Sequence, residues 1–354
     1  MKNSIEDLIN AIKLLAETMS EVSIMEVCGT HTASIRKYGI PSVLPGNIRL
    51  VSGPGCPVCV TSQEDINMAL SIADSEKVIF TCFGDMMRVP CGDKSLYSLR
   101  EAGRDIRIVT SPMDAIDISK TNPEKQVVYF GIGFETTAPH TAALVDEIDK
   151  QNINNISVLN SHKTMPQAIT HLLKDECRVD ALLCPGHVAA ITGSDAFSFV
   201  PEKLNLPAAI AGFEAYEILA AILSILTMLK TNRKECVNMY PGVVTKSGNL
   251  KALELINRVM EPEDAVWRGL GSIPGSGLRF RDRYAGFDAT KRFEIPGNKT
   301  QEPKGCLCSG ILRGENIPTD CGHFGKSCNP HSPMGPCMVS SEGSCFSYYR
   351  YRDV

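Results

Sequence analysis

Two cysteines lie three residues apart in a stiff turn near the start of the chain. The stretch SGPGCPVCVTSQED, residues 52–65, surrounds Cys56 and Cys59 with glycine and proline and then runs into a helix start. Pro57 restricts the backbone so that the two sulfurs stay close together, and the positive end of a helix dipole favours thiolate over thiol at Cys59. The spacing favours a redox-active dithiol pair. Half of a metal site, or a stiff turn with bystander thiols, are the alternatives.

A second, denser group of cysteines lies near the carboxyl end. Six of the fourteen cysteines fall between residues 306 and 345, and the last four are Cys321, Cys328, Cys337 and Cys345, separated by glycine- and proline-rich loops. Four thiolates converging from loops suit a [4Fe–4S] cluster, whereas structural zinc sites usually use paired Cys-x2–4-Cys knuckles, which this group lacks. We therefore predict a [4Fe–4S] cluster, with zinc or four unrelated buried cysteines as alternatives. Cys306 and Cys308 could be a second redox pair, an alternate ligand or ordinary cysteines.

The motif EVCGTHTASI, residues 26–35, adds a cysteine and a histidine at another turn. Cys28 is predicted to end a strand and Thr30 or Thr32 to cap the following helix, which leaves His31 beside the thiol. A cysteine next to a histidine serves as a nucleophile with its base or as two metal ligands. A core cysteine with a turn histidine is an equally good interpretation of this motif alone.

Polar groups follow several other predicted strands. The motifs are FGDMMRVP, GFETTAP with Glu135, NSHKTMP, and CPGHVAAITG with His187. Each motif alone is typical of a capped turn. Because the carboxyl ends of parallel strands share one edge of a sheet, the motifs together predict a polar cleft.

The elements that must position these residues follow an α/β pattern. A helix that begins with a capping box is predicted over residues 4–19. Short apolar strands are predicted at residues 22–28, 47–53, 77–84, 105–111, 126–133, 155–161 and 180–186. Stretches of helical length separate the strands, and this alternation predicts parallel α/β layers.

Two features divide the chain into predicted domains. VIFTCFGDMMRVP, residues 78–90, aligns without gaps on VVYFGIGFETTAP, residues 127–139, which indicates a doubled architecture, although convergence on one strand–turn chemistry explains the match nearly as well. From about residue 236 the sequence is rich in Gly and Pro, which favours a loop-rich third domain held by a metal centre. We therefore predict α/β domains over residues 1–125 and 126–235 and a cluster-binding domain over residues 236–354.

Composition excludes several classes of protein. The chain has 354 residues, a net charge of −4 and no run rich in Lys and Arg, so a nucleic-acid partner is not expected. Its most apolar stretch, Ile218–Leu229, is too short to span a bilayer, and the start of the chain lacks a secretory pattern. The expected location is therefore the cytoplasm. A surplus of cysteines in that reducing compartment favours metal binding or thiol chemistry over a structural disulfide framework.

These motifs together resemble one family, the HypD family of hydrogenase maturation proteins. The resemblance rests on CGTHT, GPGCPVCV, FGDMMRVP, GFETTAP, PGHVAAITG and the ending DCGHFGKSCNPHSPMGPCMVSSEGSC. They occur in the family's order across nearly the whole chain, which is far more specific than one Cys-x-x-Cys. Cys91, which follows RVP, does not belong to the family pattern.

The resemblance implies a scaffold and redox partner that assembles the Fe(CN)2CO group of [NiFe]-hydrogenases, rather than an enzyme with free turnover. It implies two similar α/β domains facing a cleft and a third domain with a [4Fe–4S] cluster. The implied partners are a HypC-type small chaperone and a HypE-type cyanide donor. The alternative functions are an iron–sulfur-dependent disulfide reductase of small substrates and a zinc-stabilised binding protein.

The resemblance also implies roles for individual residues. Cys28 would be a ligand of the transient iron, with His31 beside it, and Cys56 and Cys59 would exchange electrons. The cluster ligands would be Cys321, Cys328, Cys337 and Cys345. Glu135 and His187 would shape the cleft and supply hydrogen bonds or protons. Thiolate ligation suits an electron-rich iron that carries cyanide and CO.

Overall fold

A computed structural model describes residues 4–174, 179–294 and 302–352. The strands are β1 (Val22–Glu26), β2 (Ile48–Ser52), β3 (Val78–Cys82), β4 (Ile106–Ile108), β5 (Gln126–Gly133), β6 (Ile156–His162), β7 (Ala181–Pro185), β8 (Ala208–Ala211), β9 (Cys236–Asn238), β10 (Met260–Trp267) and β11 (Gly271–Phe280). The α-helices are α1 (Ile5–Ala16), α2 (Gly29–Lys37), α3 (Ile40–Val43), α4 (Pro57–Val60), α5 (Gln63–Ala73), α6 (Leu96–Glu101), α7 (Asp114–Thr121), α8 (Ala138–Lys150), α9 (Met165–Leu173), α10 (Gly186–Thr192), α11 (Phe199–Leu204), α12 (Ala215–Lys230), α13 (Leu250–Val259), α14 (Ala289–Arg292), α15 (Cys308–Leu312), α16 (Pro336–Val339) and α17 (Ser344–Arg350). Short 3-10 helices cover Gly84–Met86, Ser194–Phe197, Asp282–Phe287 and Pro318–Asp320.

Five parallel strands form one sheet, in the order β2-β1-β7-β8-β9. Helices α1 and α12 pack against each other on this sheet, where Ile24, Leu183 and Ile222 are fully buried in one apolar cluster. Helix α12 contains the most apolar stretch of the sequence and uses it to cover the sheet. Across the described ranges, no helix combines the length and the apolar character needed to cross a membrane.

Four further parallel strands form a second sheet, in the order β4-β3-β5-β6. Strand β5 is a nearly continuous apolar run because both of its faces are covered. Tyr129 packs on one side in a cluster with Leu144 of α8, whereas Phe130 faces a cluster that also contains Leu182 and Ile210 of the five-stranded sheet. The two sheets therefore share one buried apolar cluster.

The chain does not build the two sheets one after the other. Strands β1 and β2 belong to the five-stranded sheet, β3–β6 form the four-stranded sheet, and β7–β9 return to the first. The domain boundary predicted between residues 125 and 126 falls inside the four-stranded sheet, where β3 and β5 pair directly. The aligned stretches 78–90 and 127–139 contain these neighbouring strands of one sheet, rather than equivalent strands of two domains.

The part of the chain after residue 236 is attached to both sheets. Strand β9 is an edge strand of the five-stranded sheet, and β10 and β11 form an antiparallel hairpin. Trp267 is buried in the cluster shared by the sheets, and Phe280 and Tyr284 are buried in the cluster of α8. Residues 302–352 contain only short helices and loops, as the Gly and Pro content predicted.

Most of the elements predicted from the sequence are present. The seven predicted strands correspond to β1–β7, and the α/β fold class is confirmed. The predicted capping box begins α1, because Ser4 and Asp7 exchange backbone-to-side-chain hydrogen bonds. Strands β8 and β9 and the β10–β11 hairpin were not predicted.

Candidate functional site

A small cleft lies where both sheets end. The segments that follow β1, β2 and β7 of the five-stranded sheet and β5 of the four-stranded sheet meet there around a cavity of about 120 Å³. Its lining includes Cys28, Thr30, Pro57, Thr136, His187 and Glu342. Several turns that the sequence placed at strand ends thus converge on one site, as expected for parallel sheets.

The turn with Cys28 and the turn with Cys56 are in direct contact. The backbone N–H of Gly29 donates to the carbonyl of Gly55 at 2.9 Å. A Cβ atom on Gly55 would lie 2.2 Å from the backbone nitrogen of Cys28, so only glycine allows this approach. The two motifs, which are separate in the sequence, are therefore one structural unit.

Cys56 and Cys59 are joined by a disulfide. Cys56 precedes the short helix α4, Pro57 occupies its first position, and the Cys56 sulfur accepts from the backbone N–H of Cys59 at 3.2 Å. Ser62 then caps α5 at the predicted helix start by accepting from the backbone N–H of Asp65. A stiff turn followed by a capped helix holds this sulfur pair at the cleft.

Cys28 is buried, and its backbone is hydrogen-bonded to the buried carboxyl group of Glu26. Cys28 is the residue before α2, so Thr30 and Thr32 lie inside the helix and neither caps it, contrary to the prediction. The carboxyl oxygens of Glu26 accept from the backbone N–H of Cys28 at 3.1 Å and from the Thr32 hydroxyl at 2.5 Å. Glu26 was not among the predicted site residues.

The charge state of this pair follows from its burial. Burial raises the pKa of Glu26 to about 8, and it raises the pKa of Cys28 to about 12, with the nearby Glu342 carboxyl adding to the effect. The Cys28 thiol is therefore neutral near pH 7 in the isolated chain. A cation bound at the sulfur would favour the thiolate.

The carboxyl-terminal segment forms one wall of the cleft through Glu342. Its carboxylate accepts from the Thr30 hydroxyl at 2.7 Å, and its side chain lies close enough to Gly29 that a Cβ there would be 2.5 Å away. Burial raises the pKa of Glu342. The segment that carries the late cysteines is thereby tied directly to the Cys28 turn.

The two predicted histidines both contact the ring of Phe213. The His31 ring centre is 4.8 Å from that of Phe213, and the His187 ring stacks on Phe213 at 4.0 Å. His187 lines the cavity and is exposed, whereas His31 is fully buried and its Nε2–H donates to the carbonyl of Gly212 at 2.9 Å. Burial lowers the pKa of His31 to about 4, so this ring is neutral.

Glu135 lies behind the cleft rather than on its surface. Its neighbours Phe134 and Thr136 line the cavity. One carboxyl oxygen accepts from the backbone N–H of Met165 at 3.0 Å, and the other is buried without a hydrogen-bond partner among the described residues. Burial raises the pKa of Glu135 to about 7. A proton on the second oxygen is therefore stable near neutral pH.

The late cysteines gather in a second place. A small cavity lined by apolar side chains also contains Cys306, Cys308, Cys321, Cys328 and Cys345. Cys337 contacts the group through sulfur hydrogen bonds with Cys308 and Cys345. The six cysteines that cluster in the sequence therefore also cluster in space.

The chemistry of this group fits an iron–sulfur cluster. The four predicted ligands are thiols in apolar surroundings, and the backbone N–H groups of Met334 and Cys345 donate to the sulfurs of Cys328 and Cys337 at 3.5 and 3.2 Å. Within residues 4–174, 179–294 and 302–352, no three His, Cys, Asp or Glu side chains are already placed as ligands of one ion. The sulfurs would have to turn toward their common cavity to hold a cluster.

Comparison with known proteins gives matches along nearly the whole chain. The HypD family model, described as the hydrogenase formation hypA family, matches residues 3–352. A putative hydrogenase expression/formation protein of Methanocaldococcus jannaschii is 43% identical over 350 residues, which cover 99% of this chain and 98% of that protein. The hydrogenase maturation factor HypD of Azotobacter vinelandii is 42% identical over 344 residues, covering 95% and 91% of the two chains. HypD of Cupriavidus necator is 41% identical over 342 residues, covering 93% and 90%.

Proposed function

Because the chain belongs to the HypD family of hydrogenase maturation factors, we propose that it is the scaffold on which the Fe(CN)2CO group of [NiFe]-hydrogenases is assembled. The observation that carries the proposal is the contact between the Cys28 turn and the Cys56–Cys59 turn across the hydrogen bond from Gly29 to Gly55. One thiol and one disulfide thereby lie on contacting turns beside one cleft. That combination suits a site that both holds a metal and exchanges electrons.

Cys28 is proposed to hold the iron that is being assembled. Its thiol is neutral when the site contains no cation, because burial and the nearby carboxyl groups oppose a negative charge. Iron at the sulfur would release this proton and would be held by a soft thiolate, which suits an electron-rich metal carrying cyanide and CO. His187, which lines the same cavity, is placed to donate or accept a hydrogen bond there.

Cys56 and Cys59 are proposed to supply the electrons that release cyanide from a thiocyanate. The two thiols would give two electrons and two protons, so that the S–CN bond breaks, the donor sulfur becomes a thiol, hydrogen cyanide leaves and the Cys56–Cys59 disulfide forms. The disulfide of the present structure is the oxidised end of this step. The cyanide donor would be a HypE-type protein, and a HypC-type chaperone would be the partner at the iron.

The late cysteines are proposed to hold a [4Fe–4S] cluster. The residues that would bind it are Cys321, Cys328, Cys337 and Cys345. When bound, such a cluster supplies electrons one at a time, which is what returning the disulfide to the dithiol requires. Glu342, on the same segment, joins this region to the Cys28 turn.

The disulfide also supports a second candidate function, a cluster-dependent disulfide reductase of small substrates. Infrared spectroscopy of anaerobic protein purified together with its small chaperone distinguishes the two functions. We expect absorption bands in the metal cyanide and carbonyl window, lost in Cys28→Ala and retained in Cys236→Ala, whose thiol lies on the edge strand β9 away from the cleft. Bands that persist without Cys28 would contradict the ligand assignment. Disulfide reduction by a protein that never shows these bands would favour the reductase.

A further inference from the structure

Arg268 carries a positive charge deep inside the molecule. It follows β10, and only 2% of its side chain is exposed. Its backbone N–H donates to the carbonyl of Val60 at 2.9 Å, one residue after the Cys56–Cys59 pair. Because burying a charge is expensive, a buried guanidinium requires compensation from its neighbours.

The compensation around Arg268 is incomplete. Its Nη2 donates to the carboxylate of Glu302 at 2.5 Å, and that carboxylate is half exposed to solvent. With the Gln63 amide turned so that its oxygen faces the guanidinium, this oxygen accepts from Nη1 and Nη2 at 3.1 and 3.0 Å. The Nε donor is also buried and has no hydrogen-bond partner in the part of the chain that the structure describes. The positive charge of Arg268 is therefore only partly offset by its neighbours.

Arg268 lies beside the segment of the late cysteines. A Cβ on Gly335 would lie 3.5 Å from Nη2, and Gly335 immediately precedes the helix α16, which carries Cys337. The guanidinium thus lies between the segment that follows the Cys56–Cys59 pair and the late cysteine group.

We propose that Arg268 is a positioning residue whose buried charge stabilises the reduced form of the iron–sulfur centre held by the late cysteines. The inference rests on the proposed function, because it requires the cluster. Reduction adds one negative charge to the centre, and a nearby cation lowers the free energy of that charge more strongly in a buried site than in water. Arg268 raises the reduction potential of the centre, and Glu302 partly offsets it.

The test is a redox titration of the cluster in full-length anaerobic protein, followed by electron paramagnetic resonance. In Arg268→Gln we expect the ratio of reduced to oxidised cluster at a fixed potential to fall about tenfold, a shift of about 59 mV to lower potential for a one-electron couple. Arg268→Lys, which keeps the charge, should show less than half of that shift. Glu302→Gln should move the potential in the opposite direction, because it removes the partial offset. Arg279→Gln, at an exposed ion pair of the same hairpin, is the matched control and should change nothing.

The outcomes separate this inference from the proposed function. An unchanged potential in both Arg268→Gln and Glu302→Gln would overturn the inference, as would equal shifts in Arg268→Gln and Arg268→Lys, since charge would then not be the cause. If Arg268→Gln does not fold, Glu302→Gln decides the question. The Glu302 side chain is half exposed, so the fold should tolerate this substitution. Wild-type protein that holds no cluster would contradict the proposed function, and the inference with it.

Discussion

The cleft and the late cysteine group are organised by different means. In the cleft, strand ends, a glycine contact and backbone hydrogen bonds fix the Cys28 turn and the disulfide turn against each other. The late cysteines lie in residues 302–352, on short helices and loops whose sulfurs gather around a cavity without being placed as ligands. The fold itself therefore fixes the two turns of the cleft against each other, whereas short helices and loops leave the sulfurs of the late group unplaced as ligands.

The polar groups of the two regions differ in the same way. The cleft combines buried carboxyl groups, at Glu26 and Glu135, with a buried neutral histidine at His31. The late group has sulfur atoms in apolar surroundings, with Arg268 as a neighbouring buried charge. The two regions thus differ in their chemistry, with carboxyl and imidazole groups in the cleft and thiols in the late group.

Removing the proposed cluster should have the largest effect, and this effect should be confined to the late cysteine group. We expect Cys328→Ala to abolish cluster binding and to speed amide hydrogen exchange across residues 302–352 by about tenfold or more, because loops that share a metal centre lose their common anchor. Exchange in β1 and α2 should stay unchanged. Iron and sulfide analysis with hydrogen-exchange mass spectrometry on anaerobic protein measures both effects. The control, Cys28→Ala, should keep its iron and sulfide. Equal loss of hydrogen-exchange protection in the cleft and in residues 302–352 of Cys328→Ala would contradict the expected difference between the two regions.

The pH dependence of stability should show whether the Glu135 carboxyl is protonated in the folded protein. The pKa of Glu135 is raised from 4.5 to about 7, so the folded state binds this proton more tightly than the unfolded state. The resulting stabilisation is fully present below pH 4.5 and is lost as the pH rises through about 7. Since each pKa unit is worth about 1.4 kcal/mol, we expect Glu135→Gln to remove about 3 kcal/mol of this pH dependence.

Urea denaturation of wild type and Glu135→Gln between pH 4.5 and 8 measures that difference. Glu26 contributes a dependence of the same sign, with a pKa raised to about 8, and it is present in both proteins. The difference between the two profiles therefore reports Glu135 alone. A difference that stays constant over this pH range would show that the carboxyl is not held protonated by the fold.

Gly55→Ala should test whether the contact between the two turns is rigid. The added Cβ would lie 2.2 Å from the backbone nitrogen of Cys28, and backbone cannot move aside cheaply. We expect a loss of about 2 kcal/mol in the free energy of unfolding, the usual size for overpacking. The matched control is Gly46→Ala, where the new Cβ meets nothing within 4 Å and should cost less than about 0.5 kcal/mol. Similar losses of unfolding free energy in Gly55→Ala and Gly46→Ala would mean that the contact between the two turns is not rigid.

Ser62→Ala should give the smallest effect. Loss of this cap of α5 should cost about 1 kcal/mol of stability. Ser4→Ala, which removes the cap of α1, should cost a similar amount. Only Ser62→Ala should speed reduction of the Cys56–Cys59 disulfide by dithiothreitol, by up to about fivefold, because its helix directly follows the disulfide turn. Equal rates of disulfide reduction in the two variants would show that the Ser62 cap has no specific effect on the Cys56–Cys59 disulfide.

The local elements could be predicted from the sequence because their signals are local. The strand with Tyr129 is an apolar run, and Ser62 caps a helix three residues before an acidic side chain. Strand β8 was missed because AAIA contains mostly alanine, which has little strand preference. The family motifs identified the family, which the comparisons confirm, although no single motif would have done so.

The long-range features could not be predicted from the sequence alone. Glu342 contacts Thr30 across 312 positions, and no local pattern indicates that pairing. Phe213 joins His31 and His187 only because β8 lies beside β7. The order of strands in the sheets is likewise set by packing between distant segments, so no local pattern of the sequence predicts it.

The interrupted five-stranded sheet has a consequence for the growing chain on the ribosome. Ser23 of β1 and Asp180, just before β7, are hydrogen-bonded although 157 positions separate them. All strands of the four-stranded sheet are synthesised between these two residues, so that sheet can fold first. Strands β1 and β2 cannot complete the five-stranded sheet until β7 has been synthesised. The Cys28 thiol therefore spends much of translation in water, and its burial is among the later steps of folding.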